Sequence, residues 1–223
     1  MSGSQLVSVR AGRVRTMDRP QWDHSPERTW QSAYRKDEVA GPIAVGKLGL
    51  QGDEVFSTDV HGGLQMAVLA YSAEHYPDWQ RELARTDFGP GALGENLTLA
   101  GLDERTVCIG DTYQVGEVQL QVSQPRGPCS NISRYWGIPT LLKRVSETHR
   151  TGWYMRVLVE GRLERGQAMT RTARPNPEWP IERLLMLRLE PQSDPQGLRW
   201  LSTCEGLSPE WQAMYAGLAD RVS

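Results

Sequence analysis

From Gln5 to about Arg171, glycine and proline divide the chain into short β-patterned segments, and this division constrains the fold more than any other feature. Residues 6–9 and 13–15 read as strands around a kink at Gly12, and the unbroken apolar run 66–71 reads as a buried strand. Segments 106–109, 112–115 and 118–122 follow one another through Gly110-Asp111 and Gly116-Glu117, the composition of tight turns in a meander. Segments 153–159 and 167–171 read as closing strands. Short strands laid side by side leave unpaired edges, so the expectation is a mainly β fold closed, or nearly closed, into a barrel. Two helices interrupt it: 72–84, with Ser72 at the N-cap and Tyr76 and Trp79 within, and 138–149, with Leu141, Leu142 and Val145 at helical spacing. Residues 18–37 are polar and irregular, with Trp22 and Trp30 among charges, and read as a surface excursion or flap.

Composition changes at Arg174-Pro175-Asn176-Pro177, which suits a boundary between a barrel domain, 1–174, and a C-terminal domain, 175–223. The second part reads as three helices. An apolar run covers 181–189, and Asp194-Pro195 and Ser208-Pro209 each offer an N-cap with proline at the first helical position. So small a bundle buries little surface, so it is expected to pack on the barrel or on a partner.

Lys plus Arg total 25 against 27 Asp plus Glu, a net charge of −2, which argues against binding nucleic acid through bulk charge. Any anion site must be local. Cys108, Cys129 and Cys204 are odd in number and lack paired spacing, which disfavours a disulfide framework and favours a reducing compartment. The amino-terminal residues show no basic segment followed by an apolar run, and no stretch approaches the roughly 18 apolar residues of a membrane span. A cytoplasmic location is expected.

Four segments carry the residue types of a site at strand ends: 48–53, His61-Gly62-Gly63, Gly94-Glu95-Asn96-Leu97, and Ser123-Gln124-Pro125-Arg126-Gly127-Pro128-Cys129. Glycines allow close approach of backbone N–H groups to an anion, while Asn, Arg and His add directed donors. In the last segment two prolines aim a thiol, and Arg126 three residues away favours its thiolate, the form that binds soft metals. Alone, Cys129 would read better as a small buried apolar side chain.

Together with Gly110-Asp111, these ordered motifs resemble the MOSC family, named after the C-terminus of molybdenum-cofactor sulfurase, and in particular its stand-alone bacterial branch. The resemblance covers almost the whole chain. It implies a pyruvate-kinase-type β-barrel with a three-helix appendage and a bound molybdenum cofactor, a pterin dithiolene with a phosphate tail. It implies Cys129 as the thiolate on molybdenum and a catalytic residue, with Ser123, Asn96, Arg126, Gly127 and Pro128 in the cofactor pocket. Asn96 is expected to bond the pterin, and Arg126 to attract the phosphate or pyranopterin edge through its guanidinium, its rival reading being a surface salt bridge. His61 either serves cofactor, substrate or proton transfer, or anchors its Gly-Gly turn. Catalytic relatives reduce N-hydroxylated bases and similar compounds, which implies a detoxifying oxidoreductase. A sulfur or cofactor carrier using a Cys129 persulfide is the alternative. No flavin or dinucleotide fingerprint is present, so electrons would come from a separate donor protein. A homodimer is one assembly that the helical appendage allows.

Other residues have plainer expected roles. Cys108, in an apolar strand, and Cys204, in a helix, are expected to be packed thiols; His75 is expected to face solvent, and Asp53 and Asp111 to stabilise turns, with Asp53 also within reach of the pocket. Trp153 and Tyr154 read as core or as pocket wall.

Overall fold

In a computed structural model of the chain, residues 3–222 are described; Met1 and Ser2, at the end read above for a leader, and Ser223 lie outside them. The strands are β1 (Gln5–Ala11), β2 (Arg15–Asp18), β3 (Thr29–Ser32), β4 (Asp37–Glu38), β5 (Ile43–Gly46), β6 (Gly49–Leu50) and β7 (Val68–Ser72). Helix α1 (Tyr76–Leu83) precedes β8 (Leu97–Ala100), β9 (Thr112–Val115) and β10 (Val118–Pro125). Helices α2 (Asn131–Trp136) and α3 (Leu141–Glu147) precede β11 (Trp153–Val159), β12 (Gly161–Leu163) and β13 (Thr170–Ala173), and α4 (Ile181–Leu189), α5 (Pro195–Leu201) and α6 (Pro209–Arg221) end the chain.

The main sheet runs β13-β9-β10-β11-β7-β8-β1-β4. All its pairings are antiparallel except β7 with β8. Its two sides meet: Leu6 N donates to Gln167 O at 2.9 Å, Met169 N to Ser4 O at 2.8 Å, and Gln5 bridges Ala168. The segment leading into β13 thereby joins β1, and the sheet closes as the barrel its short strands required. Fully buried Val9, Val118, Leu120, Val122 and Met155 fill it. A second, aromatic cluster lies under α1–α3 and the chain after β3, with Trp30, Tyr34, Tyr71, Tyr76, Trp79 and Phe88.

The C-terminal helices continue the barrel core, because Ile181, Leu184, Leu198 and Tyr215 belong to the same apolar cluster as the barrel strands. The backbone links them too: Ile109 N donates to Trp179 O, Ile181 N to Val107 O, and Ser208 N to Ser123 O. Asp194 caps α5 by accepting from Gly197 N at 2.8 Å, and Ser208 caps α6 by accepting from Trp211 N. The Gly197 N–H bond, with Arg183 beside it, lowers the Asp194 pKa below its unfolded value, so this stabilisation holds at neutral pH and is lost as pH falls through the depressed pKa. Asp194→Ala is expected to cost about 1 kcal/mol, read as a fall in thermal midpoint of about 2–4 °C at neutral pH that shrinks in acid.

Three expected elements differ. Segment 106–109 is a turn: Asp111 Oδ2 accepts from Cys108 N, and only an isolated bridge from Cys108 to Pro180 is strand-like. The surface excursion 18–37 instead supplies β3, which pairs with β2 as a hairpin, and buries Trp30, Ala33 and Tyr34. Cys204 follows α5 in a turn, where its backbone O accepts from Gln212 Nε2. Among the described residues no helix is long and apolar enough to cross a membrane.

Candidate functional site

A cleft open to solvent lies where the barrel core meets the aromatic cluster, walled by Ala67 and Leu69 on one side and Tyr34 on the other. Its empty volume is about 820 Å³, counted out to solvent, within the range of small-molecule and cofactor sites. His61, Asn96, Arg126 and Cys129 all line it, although they are spread over the loop after β6, the start of β8 and the end of β10.

β10 delivers the thiol. Its last residue, Pro125, ends the ladder opposite Trp153, and Arg126 N donates to Gly152 O at 3.1 Å as the chain leaves the sheet. Gly152 is required there: its φ is +77°, and a Cβ would stand 2.4 Å from Ala70 O. Cys129 then lies just before α2 and is half-buried. Burial opposes its ionisation, but a hydrogen bond from His61, the Arg126 charge and the Asn131 N–H outweigh it and hold the thiol below its usual pKa. Cys108 and Cys204 are shifted the other way by burial. Near neutral pH, Cys129 is therefore expected to react with iodoacetamide about tenfold or more faster than either, as peptide mapping would record.

Arg126 is 4 % exposed, so the surface salt bridge is corrected: the guanidinium is inside the protein, and burial excludes an exposed ion pair. It takes part in none of the ion pairs among the described residues, and its Nη1 is buried without an acceptor. A guanidinium stays charged in a protein, and the negative charge this one favours nearby is the Cys129 thiolate, while its Nη1 is left without a protein acceptor.

The opposite wall is an internal network. Lys36 Nζ lies 2.5 Å from Asp53 Oδ1, with both side chains nearly buried. Asp53 also accepts from Gly12 N at 2.7 Å and from Asn96 Nδ2 at 2.8 Å. The second Asn96 N–H goes to Arg10 O, and Asn96 Oδ1 accepts from Leu69 N. Both Asn96 donors are thus used within the protein, and a ligand meets only the remaining lone pair of Oδ1. Neighbouring Glu95 is wholly structural, accepting from Gly91 N, Leu93 N, Thr98 Oγ1 and Tyr76 Oη.

The other expected residues are placed differently. The Ser123 hydroxyl lies between the carbonyls of Gln65 and Tyr154, at 2.5 and 3.0 Å, and does not line the cleft. Gly127 lines an adjoining cavity, and Pro128 shapes the turn without lining either. Tyr154 is a wall residue and Trp153 a core residue. His75 is not a solvent residue: its Nε2 lies 2.6 Å from Glu104 Oε2, deep between α1 and the loop after β8. Lys36, Tyr34 and Asn131 escaped the sequence reading because they sit in polar stretches without motif or period. Only burial marks them.

The MOSC domain profile matches residues 57–170, and the chain belongs to the MOSC domain family, which is associated with molybdenum-cofactor binding. It is 35 % identical over 182 residues to the protein YiiM of Escherichia coli (strain K12), with 81 % of each chain covered. The solved structure of YiiM from Geobacillus stearothermophilus matches with a TM-score of 0.80 at 31 % identity, covering 97 % of this chain and 99 % of that one. A protein of Gibberella moniliformis (strain M3125 / FGSC 7600) named reductase is 38 % identical over 179 residues, 79 % of this chain; the chain spans only 30 % of that relative.

Proposed function

We propose that the protein is a molybdenum-cofactor-dependent reductase of N-hydroxylated compounds, with Cys129 as the protein ligand to molybdenum. The observation that carries this reading is the pairing, in one cleft, of a thiol held toward its thiolate and a buried guanidinium whose Nη1 lacks an acceptor. Among the described residues no three His, Cys, Asp or Glu side chains converge as a metal-binding group. A metal here would have to arrive with most of its ligands, and a pterin dithiolene brings them, leaving one soft position for a thiolate.

The residues present fit that group. Arg126 Nη1 would bind an anionic oxygen of the cofactor, phosphate or pterin, in the charge-assisted way guanidinium favours. His61 and Asn131 N–H would hold the Cys129 sulfur in its deprotonated, ligating form. Tyr34 and Tyr154 would flank the bound ring system and limit water. When bound, the cofactor supplies the two-electron reduction and the place where the N–O oxygen is taken. In net terms, R–NH–OH takes up two electrons and two protons and leaves as R–NH2 and water, the electrons coming from a separate donor protein.

The test uses the full chain produced in a host able to build the cofactor. Molybdenum retained near one equivalent, and many turnovers of an N-hydroxylated purine or an amidoxime with a chemical reductant, would support the reading. Cofactor-replete protein that never exceeds one turnover, yet passes sulfur or cofactor to an acceptor, would overturn it in favour of a carrier.

A further inference from the structure

A second cavity adjoins the Cys129 cleft between the barrel and the C-terminal helices, sharing with it His61, Met66 and Tyr154. No role assigned above uses it. Its barrel side presents Gln124 of β10, which is 3 % exposed and whose Oε1 is buried without a donor. Its helical side presents Trp211 and Met214 of α6, with Glu210 and Arg188 exposed at its edge. The Arg188 guanidinium lies over the Trp211 ring at 5.4 Å, and its Nη1 stands 3.9 Å from where a Cβ on Gly127 would be. The helices therefore reach the loop that carries Arg126 and Cys129.

We propose that this cavity is the recognition subsite for the organic body of the substrate, and that it takes a planar group bearing an N–H donor, bonded at Gln124 Oε1. The choice of substrate class rests on the reductase reading, but the binding site does not. A buried carbonyl oxygen without a donor carries an uncompensated desolvation cost, and a ligand N–H removes it. Glu210 and Arg188 at the edge are both exposed, one an acceptor and the other a donor, so the enclosed polar contact is Gln124 Oε1. Trp211 and the two methionines supply an aromatic wall and adaptable thioethers suited to a planar ring. Through the shared residues His61 and Tyr154, a planar group lodged here adjoins the cleft where its N–OH would react. A site built around a ligand N–H rejects an analogue lacking it more strongly than a site that merely fits the shape.

The experiment is calorimetric titration of the purified full chain with 9-methyladenine, whose only N–H donors are on its exocyclic amine, and with N6,N6,9-trimethyladenine, which has none. Wild type is expected to bind the first about tenfold more tightly, and Gln124→Leu to lose that preference. Because Oε1 has no partner within the protein, Gln124→Leu should unfold no earlier than wild type, whereas a purely structural glutamine would show a drop. Should Gln124→Leu fail to fold, Met214→Trp, which fills the cavity from the helical side, must weaken 9-methyladenine binding. Equal binding of both probes to wild type, or binding indifferent to both substitutions, would overturn the proposal. With loaded protein, a KM about tenfold higher for N6-hydroxy-9-methyladenine in Gln124→Leu at unchanged kcat would support it. Donor-dependent binding without turnover of any N-hydroxylated substrate would sink the reductase reading and leave the subsite standing.

Discussion

Cys129→Ala is expected to abolish reduction of N-hydroxylated substrates, a loss of roughly a thousandfold or more, equivalent to at least about 4 kcal/mol of transition-state stabilisation. Molybdenum content should fall with it, because the substitution removes the thiolate assigned to the metal. The fold should survive, since the side chain is small, half-buried and outside both apolar clusters. Cys108→Ala and Cys204→Ala act in the opposite sense. Both thiols are buried, Cys108 against Pro177 O and Cys204 in the common core, so these variants lose some stability while keeping metal and activity. The decisive measurement is metal content and turnover for the three variants side by side. If they lose both together, or none does, Cys129 is not the ligand.

Arg126→Met is expected to move stability and cofactor retention in opposite directions. A buried guanidinium with Nη1 unpaired carries a desolvation cost in the cofactor-free fold that exceeds its attraction for the Cys129 thiol, and an apolar side chain of similar length removes it. Cofactor-free Arg126→Met should thus be more stable than wild type by about 1–3 kcal/mol, or several degrees in thermal midpoint. Loaded protein should instead lose its cofactor on dilution or desalting roughly a hundredfold more readily, because a charge-assisted pair to an anionic oxygen is gone. Thermal denaturation with and without cofactor, together with molybdenum analysis after desalting, reads both signs. A cofactor-free variant less stable than wild type would mean that the guanidinium has a structural partner, and the anion-binding role would fall.

Much of the architecture is readable from local pattern because local chemistry decides it. Strands 112–115 and 153–159 keep the bounds that their alternation and flanking glycines set, and α5 and α6 begin at the expected Asp194 and Ser208 caps. The Cys129 segment is equally legible, since two prolines and an arginine next to a thiol restrict what that turn can do. The polar stretch 18–37 is not. Nothing in its composition tells a solvated flap from a hairpin whose following residues turn Tyr34 inward and bring Lys36 to Asp53. Segment 106–109 has the pattern of a strand but no neighbour to pair with, because Asp111 and Pro180 take its backbone groups.

The sequence by itself determined a barrel of short strands, capped helices after residue 174, and a thiol aimed by its own loop, all from interactions spanning a few residues. Only the tertiary structure decided that Arg126 is enclosed with its Nη1 unpaired, that both Asn96 donors are already engaged, and that Gln124 faces the C-terminal helices across a cavity. Each of these depends on which groups distant in the chain are left without water. That is a property of packing, and neither periodicity nor motif spacing records it.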